Sequence, residues 1–283
     1  MARCFVLEEF SVRESTGGCS VTLDSWDGRS AEAFADIVQA AFRECGFKIV
    51  RSPQLPGLLA LGEAVTLVGN APARGTEEVL DFLSLITRGL TIEDALDESH
   101  ALAYHQETDE ATGRLARTTL GKLVNRAKYE TLKRPREIIG NAVADFVTRH
   151  PRYNRATSVA CIPPHKSGKT SSLPNRLVRQ VSKTLELTQV TIERVSDTAE
   201  QKEIRDEDRQ AGVRKRIANQ RHTMRVNANL ERESVIVIDD LYGSGGSMQE
   251  ACRALKAVGA GEVLGLAITK QRLFEGVSLA SGG

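Results

Sequence analysis

The chain has 283 residues, of which 41% are hydrophobic and 27% charged, a length that suits one large or two ordinary domains with a buried core. No apolar stretch reaches transmembrane length, and Arg3 is followed by Glu8 and Glu9 rather than by an apolar leader, so a soluble cytoplasmic protein without membrane contact is expected. The five cysteines (Cys4, Cys19, Cys45, Cys161, Cys252) are widely spaced with no Cys-x2-Cys pair, which argues against a disulfide framework or a structural zinc site.

The net charge of +1 conceals a division. Residues 1–113 hold 8 Lys/Arg against 19 Asp/Glu (net −11), residues 114–185 hold 16 against 3 (net +13), and residues 186–283 hold 14 against 15 (net −1). An acidic module over residues 1–112 and a second domain over 113–283 are expected, joined by the polar stretch Gln106–Gly113. In the first module, Arg3–Val12 and Cys19–Leu23 read as strands around a turn at Ser15–Gly18. Ser30–Cys45 reads as an amphipathic helix with Phe34, Ile37, Val38, Ala41 and Phe42 on one face, closed by Gly46. Phe47–Val50 and Val65–Val68 read as short strands, Thr76–Arg88 as a helix, and Thr91–Tyr104 as a second helix capped by Thr91 with Asp94 three residues on. The result is an acidic α/β or α+β module without a catalytic constellation. Trp26 reads as a surface or core anchor. The module suits a partner-binding or lid role, through another protein or self-association.

In the second domain, Leu115–Tyr129 and Arg134–His150 read as helices and Ser158–Ile162 as a strand. Arg117, Lys122, Arg126, Lys128, Lys133, Arg134 and Arg136 form a basic stripe suited to a diphosphate or a nucleic-acid backbone. Only Tyr129 and Tyr153 are placed to stack on bases, which weakens the nucleic-acid reading. Pro163-Pro164-His165-Lys166-Ser167-Gly168-Lys169 follows the strand, and Ser196–Arg216 is dense in charge and poor in large apolar residues.

The densest signal is Val235-Ile236-Val237-Ile238-Asp239-Asp240-Leu241-Tyr242-Gly243-Ser244-Gly245-Gly246-Ser247. Four β-branched residues suit a strand covered on both faces. A helix over Met248–Val258 and a strand over Val263–Thr269 follow. Gly243, Gly245 and Gly246 permit positive φ and close backbone approach to a ligand. Amides at the head of a helix make an anion site, to which Ser244 and Ser247 add hydroxyls, Ser247 also suiting the N-cap. Paired carboxylates at a strand's carboxyl end accept hydrogen bonds from the vicinal hydroxyls of a ribose whose phosphate the loop holds. A Walker loop is excluded because no Gly-Lys-Ser/Thr ends the turn. A dinucleotide fingerprint is excluded because the glycines follow the acids.

This segment resembles the phosphoribosyl-diphosphate (PRPP) motif of type I phosphoribosyltransferases. Further residues extend the likeness: Lys128-Tyr129 before a long helix, Ile162-Pro163-Pro164 ending a strand, Arg194-x3-Thr198-x2-Gln201, Arg216-x2-Asn219 and Met224. Together, over roughly Leu115–Lys270, they resemble the ComF-like (competence protein F-like) branch. Only Asn175 matches that branch's usual Arg-Gly-Phe-Asn, and its cysteine-rich zinc module is absent. The resemblance implies an open, mostly parallel α/β sheet flanked by helices. It implies Asp239 and Asp240 as the catalytic pair on the ribose, and Tyr242, Gly243, Ser244, Gly245, Gly246 and Ser247 around the 5′-phosphate. Pro164, His165, Lys166 and Lys169 are implied for the diphosphate. Arg194, Arg205, Arg209, Arg214 and Arg216 are implied as candidates of a mobile hood over the site around Ser196–Arg216, Arg194 and Arg216 also belonging to the family pattern. Mg²⁺, bridging diphosphate and ribose hydroxyls without a direct protein ligand, is the implied cofactor. The ligand is PRPP or a nucleoside phosphate, and the implied reaction is transfer of a phosphoribosyl group to a nucleobase-like acceptor. The alternative is a non-catalytic protein that binds PRPP, nucleotide or single-stranded nucleic acid in DNA uptake or a defence assembly.

Overall fold

The computed structural model of the chain describes residues 3–5, 7, 9–15, 18–25, 28–43, 46–51, 63–69, 73–87, 89–108, 113–129, 133–164, 172–196 and 209–272. The elements run β1 (Arg3–Phe5), β2 (Glu9–Ser15), β3 (Gly18–Ser25), α1 (Gly28–Ala41), β4 (Lys48–Arg51), β5 (Glu63–Gly69), α2 (Ala73–Thr87) and β6 (Leu90–Glu93). They continue with β7 (Glu98–Tyr104), β8 (Gln106–Thr108), β9 (Leu115–Arg117), α3 (Thr119–Tyr129), α4 (Arg134–Arg149), β10 (Ser158–Cys161) and α5 (Leu173–Leu185). The last are β11 (Thr188–Gln189), β12 (Ile192–Arg194), α6 (Arg209–Ala218), β13 (Met224–Val226), β14 (Ser234–Tyr242), α7 (Gly246–Lys256) and β15 (Glu262–Lys270). No helix among the described residues is long and apolar enough to cross a membrane.

The chain divides into two compact units, one of Met1–Cys4, Ile92–Val147 and Arg155–Gly283, the other of Phe5–Thr91 and Thr148–Asn154. The second is an α+β module built on an antiparallel sheet of order β2-β3-β5-β4. Alternation along β3 turns Cys19, Val21 and Leu23 into its core, where they meet Phe34 and Val38 of α1 and Phe82, Leu83 and Ile86 of α2. Phe42 packs edge-on to Phe82 at 5.5 Å. Trp26 lies outside the described residues.

The other unit carries most of a seven-stranded sheet of order β1-β6-β7-β15-β14-β10-β11. Its strands β7, β15, β14, β10 and β11 are parallel to one another. Val235–Ile238 are fully buried in β14, which β10 and β15 flank on its two edges. This is the open, mostly parallel α/β sheet expected.

Three expectations are corrected. Thr91–Tyr104 is not a helix. It forms β6 and β7, and β7 pairs in register with β15 from Glu98↔Leu264 to Tyr104↔Lys270. The polar residues that gave the segment an amphipathic look are buried with partners: His100 Nε2 lies 2.7 Å from Glu98 Oε1, and Ser99 donates to Asp94 at 2.9 Å. Leu115–Arg117 is not the start of a helix but strand β9, paired with β8, so part of the expected linker is ordered sheet. Helix α3 begins after Thr118, whose hydroxyl accepts from the Gly121 amide at 3.0 Å. Because β7 belongs to the parallel sheet, the compact units part between Thr91 and Ile92 rather than at residue 112.

Candidate active site

The site is a crevice that the strand order creates. From β10 the chain moves outward through α5 to β11; from β14 it moves the other way through α7 to β15. The switch point lies between β10 and β14, and such points open a crevice at the carboxyl ends of the strands. The two strands also stop at different heights. The Ile162 amide donates the last bond to the Ile238 carbonyl at 3.1 Å. Pro163 and Pro164 have no N–H to continue the ladder. Strand β14 runs on to Tyr242, so the acids lie within the strand rather than beyond it, paired only with β15. The resulting cavity, of about 300 Å³, is lined by Lys128, Pro163, Pro164, Arg216, Asp239, Asp240 and Tyr242–Ser247.

The two carboxylates differ. Asp239 Oδ1 accepts from the Asp240 amide at 2.8 Å. Burial, then the neighbouring Asp240 charge, push its carboxyl up to about 8. Asp240 Oδ1 is paired with Lys128 Nζ of α3 at 2.8 Å, and the same ammonium draws the Asp239 carboxyl back down. Thr269 on β15 donates to the Asp240 carbonyl at 3.1 Å and thereby fixes the strand at that step. His105, whose ring nitrogen is 3.2 Å from the Thr269 hydroxyl, is held neutral to lower pH by burial and by the charges of Arg117 and Lys128. Burial and the Asp239 charge push the Cys161 thiol up to about 11, so no thiolate nucleophile is available beside the acids at neutral pH.

Beyond Tyr242 the chain turns into α7. The first bond of the helix runs from the Gln249 amide to the Gly245 carbonyl, so the amides of Gly246, Ser247 and Met248 precede the ladder and have no partner within the helix. Ser247 is not the N-cap. That place belongs to Gly245, at φ 83° and without a side-chain cap bond. Among Gly243, Gly245 and Gly246, positive φ is used only at Gly245. Gly246 is required by close approach instead, since a Cβ there would stand 2.9 Å from Ile217 Cα and 3.2 Å from the Arg216 carbonyl. The end of α6 is therefore seated against the head of α7, which places Arg216 on the cavity wall.

The structure thus brings together Asp239, Asp240, Tyr242, Gly243, Ser244, Gly245, Gly246, Ser247, Pro164 and Arg216 as the sequence suggested. His165, Lys166 and Lys169, expected on the diphosphate, and Thr198, Gln201 and Arg205 of the expected hood lie outside the described residues. Arg194 is corrected from a hood arginine to a buried tie. Its guanidinium donates to the Pro164 carbonyl at 2.6 Å, the Pro163 carbonyl at 3.3 Å, and Gln220 Oε1 and Thr223 Oγ1 at 3.2 Å each. This anchors the proline turn to the antiparallel pair of β12 and β13. Arg194→Met leaves these buried acceptors without a donor and is expected to cost about 2–4 kcal/mol. A urea melt with an unchanged midpoint would contradict that role.

Three contributors were not singled out for the site from sequence: Lys128, Gln271 on the cavity wall, and Asp94, which accepts from the Tyr242 hydroxyl at 3.0 Å. In the sequence Lys128 stands in the basic stripe and in the Lys128-Tyr129 pair of the family likeness, with no role at the acids. Nothing local marks Asp94, because its partner is 148 residues away.

Residues 148–270 match the family model described as "Phosphoribosyl transferase domain". Several solved phosphoribosyltransferases resemble the chain. They include the adenine phosphoribosyltransferase of Leishmania tarentolae (10% identity, 62% of this chain and 92% of that one, TM-score 0.36). The Saccharomyces cerevisiae adenine enzyme is 11% identical over 68% of this chain and 89% of that one, with a TM-score of 0.35. The hypoxanthine enzyme of Staphylococcus aureus is 8% identical over 57% and 70%, with a TM-score of 0.32. No curated protein matches the chain. Lys128 and Asp94 precede the matched phosphoribosyl transferase segment and Gln271 follows it, yet all three belong to the unit that holds the cavity.

Proposed function

We propose that the cavity binds PRPP and that the chain transfers its phosphoribosyl group to a nucleobase-like acceptor, releasing diphosphate in a Mg²⁺-dependent reaction. The observation that carries this reading is one cavity lined by both the paired acids of β14 and the helix-head amides of α7, with Lys128 and Arg216 on its wall. The amides of Gly246 and Ser247 hold the 5′-phosphate with the helix dipole behind them. Asp239 and Asp240 accept from the ribose hydroxyls and stabilise the positive charge that grows at C1. The C1–oxygen bond breaks with its electron pair leaving on diphosphate. A nitrogen of the acceptor bonds to C1, and its proton passes to solvent. Arg216 faces the departing charge from α6. Lys128, 2.8 Å from Asp240 Oδ1, orients that carboxylate.

Two hard oxygen donors side by side, one already destabilised by burial and then by its neighbour's charge, suit a nearby divalent cation. When bound, Mg²⁺ supplies charge neutralisation between diphosphate and ribose. Incubating the full chain with labelled PRPP, Mg²⁺ and a panel of bases tests the reading, and base-dependent release of diphosphate is expected. A salt-sensitive shift of single-stranded DNA with no turnover would instead favour the binding protein.

A further inference from the structure

We infer that Asp94, ahead of the matched domain, is a positioning residue for the phosphate-holding turn and acts through the Tyr242 hydroxyl. The inference rests on the phosphoribosyl reading and deepens it. Asp94 sits in the turn between β6 and β7. Its Oδ1 accepts from the Leu96 amide at 3.0 Å and from the Ser99 hydroxyl at 2.9 Å, which fixes the plane of the carboxylate. Its Oδ2 accepts from Tyr242 at 3.0 Å, so the phenol proton points at Asp94 and not into the cavity.

The ring of Tyr242 is 2% exposed and its hydroxyl end lies under Gly245. A Cβ on residue 245 would stand 2.5 Å from that oxygen and 3.1 Å from Cζ. The left-handed bend at Gly245, from which α7 springs, thus rests on an oxygen whose place is set by Asp94. Room for the arrangement comes from Gly265 on β15, where a Cβ would meet Ser99 Oγ at 2.5 Å and Leu96 Cδ2 at 2.9 Å. Burial holds the Asp94 carboxyl above its ordinary range, the cost of keeping a carboxylate below an anion site. Tyr242, expected among the phosphate contacts, acts here from beneath the turn.

The test is calorimetry on the full chain with two probes, ribose 5-phosphate and inorganic diphosphate. Tyr242→Phe keeps the buried ring and removes only the hydroxyl; Asp94→Ala removes the anchor, and Asp94→Asn keeps one acceptor oxygen. Displacing a binding loop from its supports costs about tenfold or more in affinity. Tyr242→Phe and Asp94→Ala are expected to weaken ribose 5-phosphate by that factor, with Asp94→Asn between them and wild type, while diphosphate stays within about twofold. Wild-type affinity for ribose 5-phosphate in a folded Tyr242→Phe protein would overturn the inference, as would equal loss of both probes. A wild-type chain that binds neither probe would overturn the phosphoribosyl reading itself, and this inference with it. Should Asp94→Ala fail to fold, the phenylalanine variant decides.

Discussion

Asp239→Asn is expected to weaken PRPP binding and to raise the melting temperature of the free protein. The two effects have separate causes. Burial and Asp240 push the Asp239 carboxyl up to about 8, so ionising it costs free energy in the folded state that the unfolded chain, with its carboxyl near ~4, does not bear. For an acid whose folded pKa is raised, this destabilisation is absent below about pH 4, grows as pH rises, and is complete above about pH 8. The asparagine variant should therefore melt with wild type near pH 4 and progressively above it towards pH 8, by about 2–4 °C for each kcal/mol relieved. Thermal melts across that range check the claim, and a variant less stable than wild type at pH 8 would contradict it. Binding moves the other way, since each charge-assisted hydrogen bond to a ribose hydroxyl is worth about 1.5–3 kcal/mol. Replacing Asp240 as well should lower affinity by at least about 100-fold. Unchanged affinity of the double variant would defeat the assignment of the acids.

The second large effect is expected from Gly245→Ala. At φ 83° an L side chain costs about 1–2 kcal/mol, and the new Cβ would overlap the Tyr242 hydroxyl at 2.5 Å. The turn must shift, and a loss of about 2–4 kcal/mol together with loss of ribose 5-phosphate binding is expected. Gly243 supplies the contrast. It has no positive φ, and a Cβ there meets nothing closer than Gln271 Oε1 at 3.8 Å. Gly243→Ala should leave stability within about 0.5 kcal/mol. Equal destabilisation by the two alanines, measured by denaturant midpoints, would show that the turn does not rest on Tyr242.

The contrast also shows which parts of the molecule local sequence reveals. The run Val235–Ile238 announces a doubly covered strand because burial on both faces leaves no polar alternation to hide it. The acids, the glycines and the helix after them are contiguous in the chain, and they are readable for that reason. By contrast, β6 and β7 were misread because Glu98, Ser99 and His100 are buried polar residues whose partners, not their own chemistry, make them compatible with a sheet. The capping pair expected of Thr91 and Asp94 does not form for a related cause, since the Asp94 carboxylate is engaged by Ser99 and Tyr242. Arg194 and Arg216 look alike in sequence. Only the proline carbonyls met by one and the cavity met by the other separate them. Lys128 and Asp240 form an ion pair across 112 positions, beyond the reach of any local pattern.

A crystal structure of the full chain with PRPP and Mg²⁺ tests the central claim most directly. The account predicts 5′-phosphate oxygens about 2.7–3.2 Å from the Gly246 and Ser247 amides, with the ribose hydroxyls on Asp239 and Asp240. A phosphate bound elsewhere, with those amides turned to the protein's own carbonyls, would contradict it.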